Sequence, residues 1–253
     1  MNRITRCFNL LIVISLAAAG PLQAQLTGPE ILDKVLDVMN PPNAQAIIRQ
    51  TILTTSGQTR TFEFDSYVGN RGESSLMRYR APSRARGNAM LMTDFADNIW
   101  MYFKQTGRVR KLASHAKKQK FEGSDFTYED MGSGDSWKVD YRPENKGVAD
   151  LDGQETYQLV LTAQAEDLSY SQLVCWVRTA DFLPLQIDYY DEKGQFTKVL
   201  HLDDIRVIEG IPTAMKMVME NRVDNTNTSM ETVEITYDVT FDKNFFSERN
   251  LKK

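Results

Sequence analysis

The spacing of apolar residues changes once along the chain. In the segment 27–40, TGPEILDKVLDVMN, the apolar residues recur at helical spacing, at Ile31, Leu32, Val35, Leu36 and Met39. Thr27 and Glu30 have the spacing of a capping box, and two prolines follow the segment. The pattern predicts an amphipathic helix whose apolar stripe packs against another element.

Beyond this helix the apolar period is two. Apolar runs alternate with turn signals such as Gly69-Asn70, Gly153 and 225–227. About ten or eleven such runs follow one another at hairpin-like spacing, without a βαβ rhythm. They predict a mainly β chain with one large antiparallel sheet, strongly curved or closed into a barrel.

Four of the runs are apolar on both faces or nearly so: 89–92, 99–103, 173–177 and 215–219. A one-sided sheet has one polar face, so the second apolar face needs its own partner. Several of these residues are methionines, whose flexible side chains suit surfaces that adapt to varied apolar ligands. Two interpretations stay open, a well-filled core and a cavity that accommodates lipid.

Face alternation selects the candidate ligand-binding residues for such a cavity. A one-residue change of register would turn each set to the opposite face. The candidates are Met90, Met92, Trp100, Tyr102, Trp176, Ile187, Tyr189, Met215, Met217 and Met219.

The N-terminal residues have the pattern of a secretory signal. Arg3 and Arg6 precede an apolar run at 8–20, and Leu22-x-Ala24 supplies a small-residue cleavage site. We expect residues 1–24 to be a cleaved signal peptide and residues 25–253 to form a single exported domain. Gln25, and not a cysteine, follows the site, so the expected location is the periplasm without a lipid anchor.

Cleavage at this site changes the net charge from −4 to −6 by removing the two arginines. An acidic chain of this kind is a poor nucleic-acid binder. The stretch 107–120, GRVRKLASHAKKQK, is a local basic exception. It is interpreted either as a solvated loop or hairpin edge, or as a docking patch for an acidic partner or for anionic lipid headgroups.

Residues suited to catalysis are scarce. His115 and His201 lack metal-ligand spacing to another His or Cys, and no nucleophile or phosphate-binding motif is present. Adjacent carboxylates such as Asp203 and Asp204 point to opposite faces of a strand. The sequence predicts no catalytic residue, no metal and no cofactor, and therefore no enzyme.

Cys175, the one cysteine after cleavage, has apolar neighbours typical of a buried, inert thiol.

The segment 121–137, FEGSDFTYEDMGSGDSW, mixes aromatic and acidic residues around a turn-like centre. A hydrolase built on its carboxylates is the weakest hypothesis, because no histidine, metal site or nucleophile accompanies them. We expect a structural brace in which Asp125 caps backbone N–H groups and Phe121, Phe126 and Tyr128 anchor the segment. Glu129 and Asp130 would pair with arginines such as Arg108 or Arg110. The signature residues are Gly123, Ser124, Asp125, Phe126, Tyr128, Glu129 and Asp130.

This string is the most specific of several that resemble one family. Together with 78–91, 98–112, 170–200, 211–221 and 245–251, it is similar to the outer membrane lipoprotein-sorting family, the LolA-like periplasmic carriers. Within that family the chain resembles the branch that often accompanies envelope export systems. The resemblance implies an incomplete, half-open antiparallel β-barrel of about 11 strands. An N-terminal helix and short helices would cover its hydrophobic cavity.

The resemblance also implies a function. The chain would be a periplasmic carrier that binds lipoprotein acyl chains or another lipid-like hydrophobic ligand and delivers it toward the outer membrane. The alternative is a non-shuttling periplasmic adaptor or binding subunit of an RND-type export system. The expected partners are the lipid, an inner-membrane exporter and an outer-membrane acceptor, with no nucleic acid, and the expected state is a monomer.

Overall fold

The first element is the predicted N-terminal helix. The computed structural model describes residues 25–132, 134–165 and 167–253, so the predicted signal peptide lies outside the described residues. Helix α1 spans Gly28–Met39. Thr27 and Glu30 form the capping box: the Thr27 N–H donates to the Glu30 carboxylate at 2.7 Å, and the Glu30 N–H donates to Thr27 Oγ1 at 3.4 Å. Ile31, Leu32, Val35 and Leu36 are buried on one face of the helix.

One 13-stranded sheet makes up most of the fold. Its strands are β1 (Asn43–Leu53), β2 (Thr59–Gly69), β3 (Ser74–Ala81), β4 (Ala89–Thr93), β5 (Asn98–Phe103), β6 (Arg108–Lys111), β7 (Tyr141–Leu151), β8 (Gln154–Ala163), β9 (Gln172–Arg178), β10 (Pro184–Tyr190), β11 (Phe196–Ile208), β12 (Ile211–Asn221) and β13 (Thr226–Tyr237).

Every strand pair is antiparallel, and the order is β6-β5-β4-β3-β2-β1-β13-β12-β11-β10-β9-β8-β7. The chain thus forms two meanders that join where β1 pairs with β13. Strands β6 and β7 remain as free edges, so the sheet does not close. The predicted incomplete antiparallel barrel is confirmed, although it has 13 strands and not about 11.

The segment between β6 and β7 connects the two free edges across the face of the sheet that carries the main core. It holds the short helices α2 (Tyr128–Gly132) and α3 (Trp137–Asp140), with 3-10 turns at Ser114–Lys118, Phe121–Gly123 and Gly134–Ser136. We call residues 112–132 and 134–140 the crossing segment. Phe121 and Phe126 of this segment, α1 and the inward side chains of the strands form the main core.

A smaller apolar cluster lies on the opposite face of the sheet. Leu76, Ala89 and Leu91 pack there with Leu251 of the C-terminal 3-10 turn, Glu248–Lys252. Arg78 secures this turn by donating to the Asn250 carbonyl at 2.7 Å. The C-terminal segment therefore covers the outer face of β3–β5, which explains why β4 is apolar on both faces.

Candidate functional site

An apolar, partly open cavity of about 260 Å³ lies between the last turn of α1 and the strands where the two meanders meet. It is lined by Val38, Met39, Pro41, Ala44, Ala46, Ile48, Ser66, Val68, Leu183, Leu202, Pro212, Thr213, Ala214, Met217, Thr232, Ile235 and Tyr237. Strands β1, β2, β12 and β13 supply most of these residues. We call this space the α1 cavity.

Small side chains at paired positions create the α1 cavity. Ala46 pairs with Ser66 on β2 and with Ile235 on β13, and Ala44 pairs with Val68 and Tyr237. Because α1 packs mainly against β7 and β8, near one free edge of the sheet, its side chains do not fill the space above these alanines.

The lining of the α1 cavity holds no Asp, Glu, Lys, Arg or His. Its buried hydroxyls are satisfied locally, since Thr213 Oγ1 and Tyr237 Oη lie 2.8 Å apart. Burial raises the pKa of Tyr237, the hydrogen bond with Thr213 opposes this rise, and the charge of Glu209 adds to it. The cavity offers no acid–base pair and suits an apolar ligand.

A buried amide lies on β1, one inward position beyond the cavity-lining Ile48. Gln50 is completely buried and pairs across the sheet with Phe62 and Met230. In the part of the chain that the structure describes, neither Gln50 Nε2 nor Gln50 Oε1 has a hydrogen-bond partner. An unsatisfied buried amide destabilises the fold.

Polar contacts fix the crossing segment to the sheet. The Asp125 carboxylate accepts hydrogen bonds from Thr226 Oγ1 at 2.5 Å and Thr228 Oγ1 at 2.8 Å. The Asp125 N–H donates to Thr228 Oγ1 at 3.0 Å, and Lys198 Nζ donates to the Asp125 carbonyl at 2.7 Å. Asp125 therefore binds hydroxyls of β13, and not the backbone N–H groups expected from the sequence.

The neighbouring carboxylates also have partners on other elements. Asp130 Oδ2 accepts from the Thr127 N–H at 2.7 Å and from Tyr170 Oη at 3.1 Å, and lies 3.7 Å from Lys198 Nζ. The Glu129 carboxylate accepts from the N–H and Oγ of Ser169. These residues do not pair with Arg108 or Arg110 as the sequence suggested, because helix α2 turns them toward β11 and the loop before β9.

The predicted ligand-binding residues are distributed over both faces of the sheet. Met90, Met92, Ile187, Tyr189 and Met219 are buried in the main core. Met217 lines the α1 cavity, whereas Met215 is buried but is not among the lining residues.

The three remaining candidates lie on the outer face. Trp100 and Tyr102 pack against the cluster under the C-terminal segment. Trp176 is half-buried, with its indole Nε1 3.3 Å from Asp188 Oδ2. The ten candidates therefore cannot line one common cavity, because alternation places them on two faces, and the ligand-binding role of each stays a prediction.

Apart from Met217, the residues that line the α1 cavity were not among the predicted ligand-binding residues. Ala44, Ala46, Ser66 and Thr232 contribute because they are small, and small side chains give little hydrophobic signal. The one available signal was the alternation of β1, in which Ala44, Ala46, Ile48 and Ile52 share the inward face.

Two further observations concern the described residues as a whole. They contain no group of three His, Cys, Asp or Glu side chains that could hold a metal ion. None of the helices they form is long and apolar enough to cross a membrane.

Comparisons with known proteins give the following matches. A protein-family model, described as that of an uncharacterized protein, matches residues 71–253. No curated protein matches the chain.

Several solved structures share the fold. A protein described as an outer membrane lipoprotein-sorting protein domain, from Vibrio parahaemolyticus, is 23% identical with a TM-score of 0.82, over 89% of this chain and 98% of that one. A DUF1329-family protein from Desulfovibrio piger is 26% identical with a TM-score of 0.80, over 88% and 97%. A LolA-superfamily protein from Nitrosomonas europaea is 17% identical with a TM-score of 0.76, over 89% and 100%.

Proposed function

Because the chain belongs to the family of the model that matches residues 71–253 and has the fold of LolA-like lipoprotein-sorting proteins, we propose that it is a periplasmic carrier. Its ligand would be lipoprotein acyl chains or another lipid-like molecule, delivered toward the outer membrane. The observation that carries this proposal is the α1 cavity, which is apolar, is lined by no Asp, Glu, Lys, Arg or His, and lies beneath the end of a helix.

The physical advantage of such a cavity is the removal of hydrocarbon from water. Each buried methylene group contributes about 0.8 kcal/mol. At about 260 Å³, the α1 cavity lies just below the range of roughly 300–1,000 Å³ that is usual for small-molecule sites. A long acyl chain therefore needs more space than the closed form provides.

The extra space would come from movement of α1. The helix covers the cavity with Val38 and Met39, and ion pairs of its exposed residues hold it to Arg71 and Lys138. Displacement of its last turn would join the cavity to the core beneath Leu36 without breaking a strand pair. In this mechanism the sheet is the rigid part of the carrier, and α1 is the part that moves.

The test begins with protein purified from the periplasm. Lipid extraction and native mass spectrometry should detect an acyl lipid, and the emptied protein should take up a fluorescent fatty acid. Ala46→Phe would fill the α1 cavity and weaken this uptake by about tenfold for every two methylene groups displaced. Ala165→Phe, at an exposed loop position, is the matched control and should bind like the wild type.

Two results would contradict the carrier proposal. One is the absence of co-purified lipid together with failure to accept the fatty acid, which would favour the non-shuttling adaptor of an export system. The other is equal uptake by Ala46→Phe and the wild type, provided that both have the same thermal unfolding midpoint. That result would place the ligand outside the α1 cavity.

A further inference from the structure

Basic residues without acidic partners surround one free edge of the sheet. Six exposed cations lie on β6, on the β5–β6 turn and on the β3–β4 loop: Arg84, Arg86, Lys104, Arg108, Arg110 and Lys111. Among the described residues, none of the six forms an ion pair. We call this group the cationic edge.

Three other lysines of the basic stretch 107–120 do have acidic partners. Lys117 pairs with Asp97 at 3.2 Å, Lys118 with Glu192 at 2.9 Å, and Lys120 with Asp224 at 2.6 Å. The C-terminal half of the stretch therefore braces the crossing segment. Within the described part of this stretch, the Arg and Lys residues without an ion pair are Arg108, Arg110 and Lys111 of the cationic edge, in a chain whose formal net charge is −4.

Protection against strand pairing does not require this arrangement. Charged side chains protect a free sheet edge from pairing with a strand of another molecule, and both edges of this sheet need that protection. The opposite edge, β7, carries both signs, with Arg142 and Lys146 beside Glu144 and Asp150. Lys146 and Glu144 pair there at 2.6 Å. Only the β6 edge has a single sign, so a function beyond edge protection is indicated.

The loops of the cationic edge form one continuous surface. The Lys104 N–H donates to Asn88 Oδ1 at 3.0 Å, and the Lys104 side chain lies against Gly87. A polar cavity of about 380 Å³ opens between these loops and β6, lined by Arg84, Asn88, Phe103, Gln105, Thr106, Arg108 and Arg110. Three guanidinium groups thus share one concave site with a single aromatic ring.

The direction of the side chains favours a flat anionic partner. Arg108 and Arg110 share the face of Phe103 and Met101, whereas Lys111 lies on the face of Trp100. The Arg110 guanidinium lies 5.8 Å from the Phe103 ring centre and the Lys111 ammonium 5.0 Å from that of Trp100. Positive charge therefore lies on both faces of β6. A flat anionic surface that meets this edge of the sheet would contact cations from both faces.

We propose that the cationic edge docks the protein on membranes through anionic phospholipid headgroups. Guanidinium groups match phosphate oxygens in geometry as well as in charge, and each basic residue near an anionic surface adds to binding. An acidic peptide added to the sheet is a weaker candidate, since β6 offers only the four residues Arg108–Lys111 for strand pairing. The proposal does not depend on the nature of the ligand in the α1 cavity.

Vesicle co-sedimentation of the mature chain tests this proposal. Vesicles of phosphatidylglycerol and phosphatidylethanolamine should bind the protein, vesicles of phosphatidylcholine should not, and high salt should release it. The variant Arg84→Gln/Arg108→Gln/Arg110→Gln should lower the partition coefficient about a hundredfold. The control Arg142→Gln/Lys146→Gln/Lys193→Gln removes three exposed charges elsewhere and should retain most of the binding.

Other outcomes would overturn the proposal. Equal losses in the two triple variants would show a response to net charge and not to the cationic edge. Failure to bind anionic vesicles, or binding only to an acidic polypeptide, would reject a lipid surface as the partner. Fatty-acid uptake by the Arg84→Gln/Arg108→Gln/Arg110→Gln variant should match the wild type, which separates this test from that of the carrier function.

Discussion

Arg71 and Asp135 are hydrogen-bonded to each other beside the end of α1. Arg71 lies in the 3-10 turn after β2, and Asp135 lies in the crossing segment. Arg71 Nε donates to Asp135 Oδ2 at 2.8 Å, and Arg71 Nη2 lies 3.4 Å from Asp135 Oδ1. The same Nη2 donates to Asp37 of α1 at 2.9 Å, and Asn40 Nδ2 donates to Asp135 Oδ1 at 3.0 Å. This cluster ties the last turn of α1, above the α1 cavity, to the crossing segment.

Arg71→Gln should loosen the end of α1. These groups are partly exposed, so we expect global stability to fall by about 1 kcal/mol or less. Amide hydrogen exchange within residues 28–39 should accelerate, and a fluorescent fatty acid should enter faster. The control Arg206→Gln breaks an exposed pair with Asp204 in a distant strand and should change neither rate. Unchanged exchange of α1 in Arg71→Gln would show that this cluster does not hold the helix.

Lys198→Met should be strongly destabilising. The substitution leaves the Asp130 carboxylate buried without its cation and removes the donor to the Asp125 carbonyl. We expect a loss of about 3–5 kcal/mol in urea unfolding, the usual effect of breaking a buried pair. The double variant Lys198→Met/Asp130→Asn should recover part of this loss, whereas Lys216→Met on the exposed face should be nearly neutral. A loss below about 1 kcal/mol for Lys198→Met would mean that water reaches Asp130.

Helix α1 and the half-open sheet could be predicted from the sequence because each is encoded by local periodicity. The capping box and the Pro-Pro pair fix the ends of α1 to within one residue of the predicted range. Strands β1 and β7 carry weaker local signals. In β1 the inward face includes two alanines and a glutamine, and β7 is a polar edge strand with a proline.

The faces of the strands were harder to predict because they depend on distant partners. The sequence of β4 shows that both faces are apolar, but not that Leu251 covers one of them from the far end of the chain. The contacts of Asp125 with Thr226 and Thr228 span about 100 residues. A cavity bounded by small residues is a shape produced by such distant contacts, and no local pattern encodes it.

The stability of the protein should depend on the ionisation of Glu129. Burial raises the pKa of this carboxyl from its ordinary value of 4.5, and the hydrogen bonds from Ser169 oppose the shift. The folded state then holds its proton more tightly than the unfolded state, so this group favours folding below pH 4.5. That contribution is lost as the pH rises from 4.5 through the raised pKa.

Glu129→Gln should therefore be more stable than the wild type at neutral pH and equally stable in acid. Glutamine retains an oxygen that accepts from Ser169 Oγ. Urea unfolding from pH 4 to pH 8, with the exposed Glu220→Gln variant as the control, measures the difference. A constant difference across this range would show that Glu129 keeps an ordinary pKa in the folded protein.

Replacing Gln50 by methionine should stabilise the protein. The amide of Gln50 is completely buried between Phe62 and Met230, and no described residue accepts or donates a hydrogen bond to it. Methionine has a similar unbranched shape and removes the desolvation cost of the amide, so we expect a gain of about 1–3 kcal/mol in the free energy of unfolding. Gln45→Met, at an exposed position of the same strand, should change stability by less than about 0.5 kcal/mol. A loss of stability in Gln50→Met would show that the amide makes a hydrogen bond, for example to an internal water molecule, that methionine cannot replace.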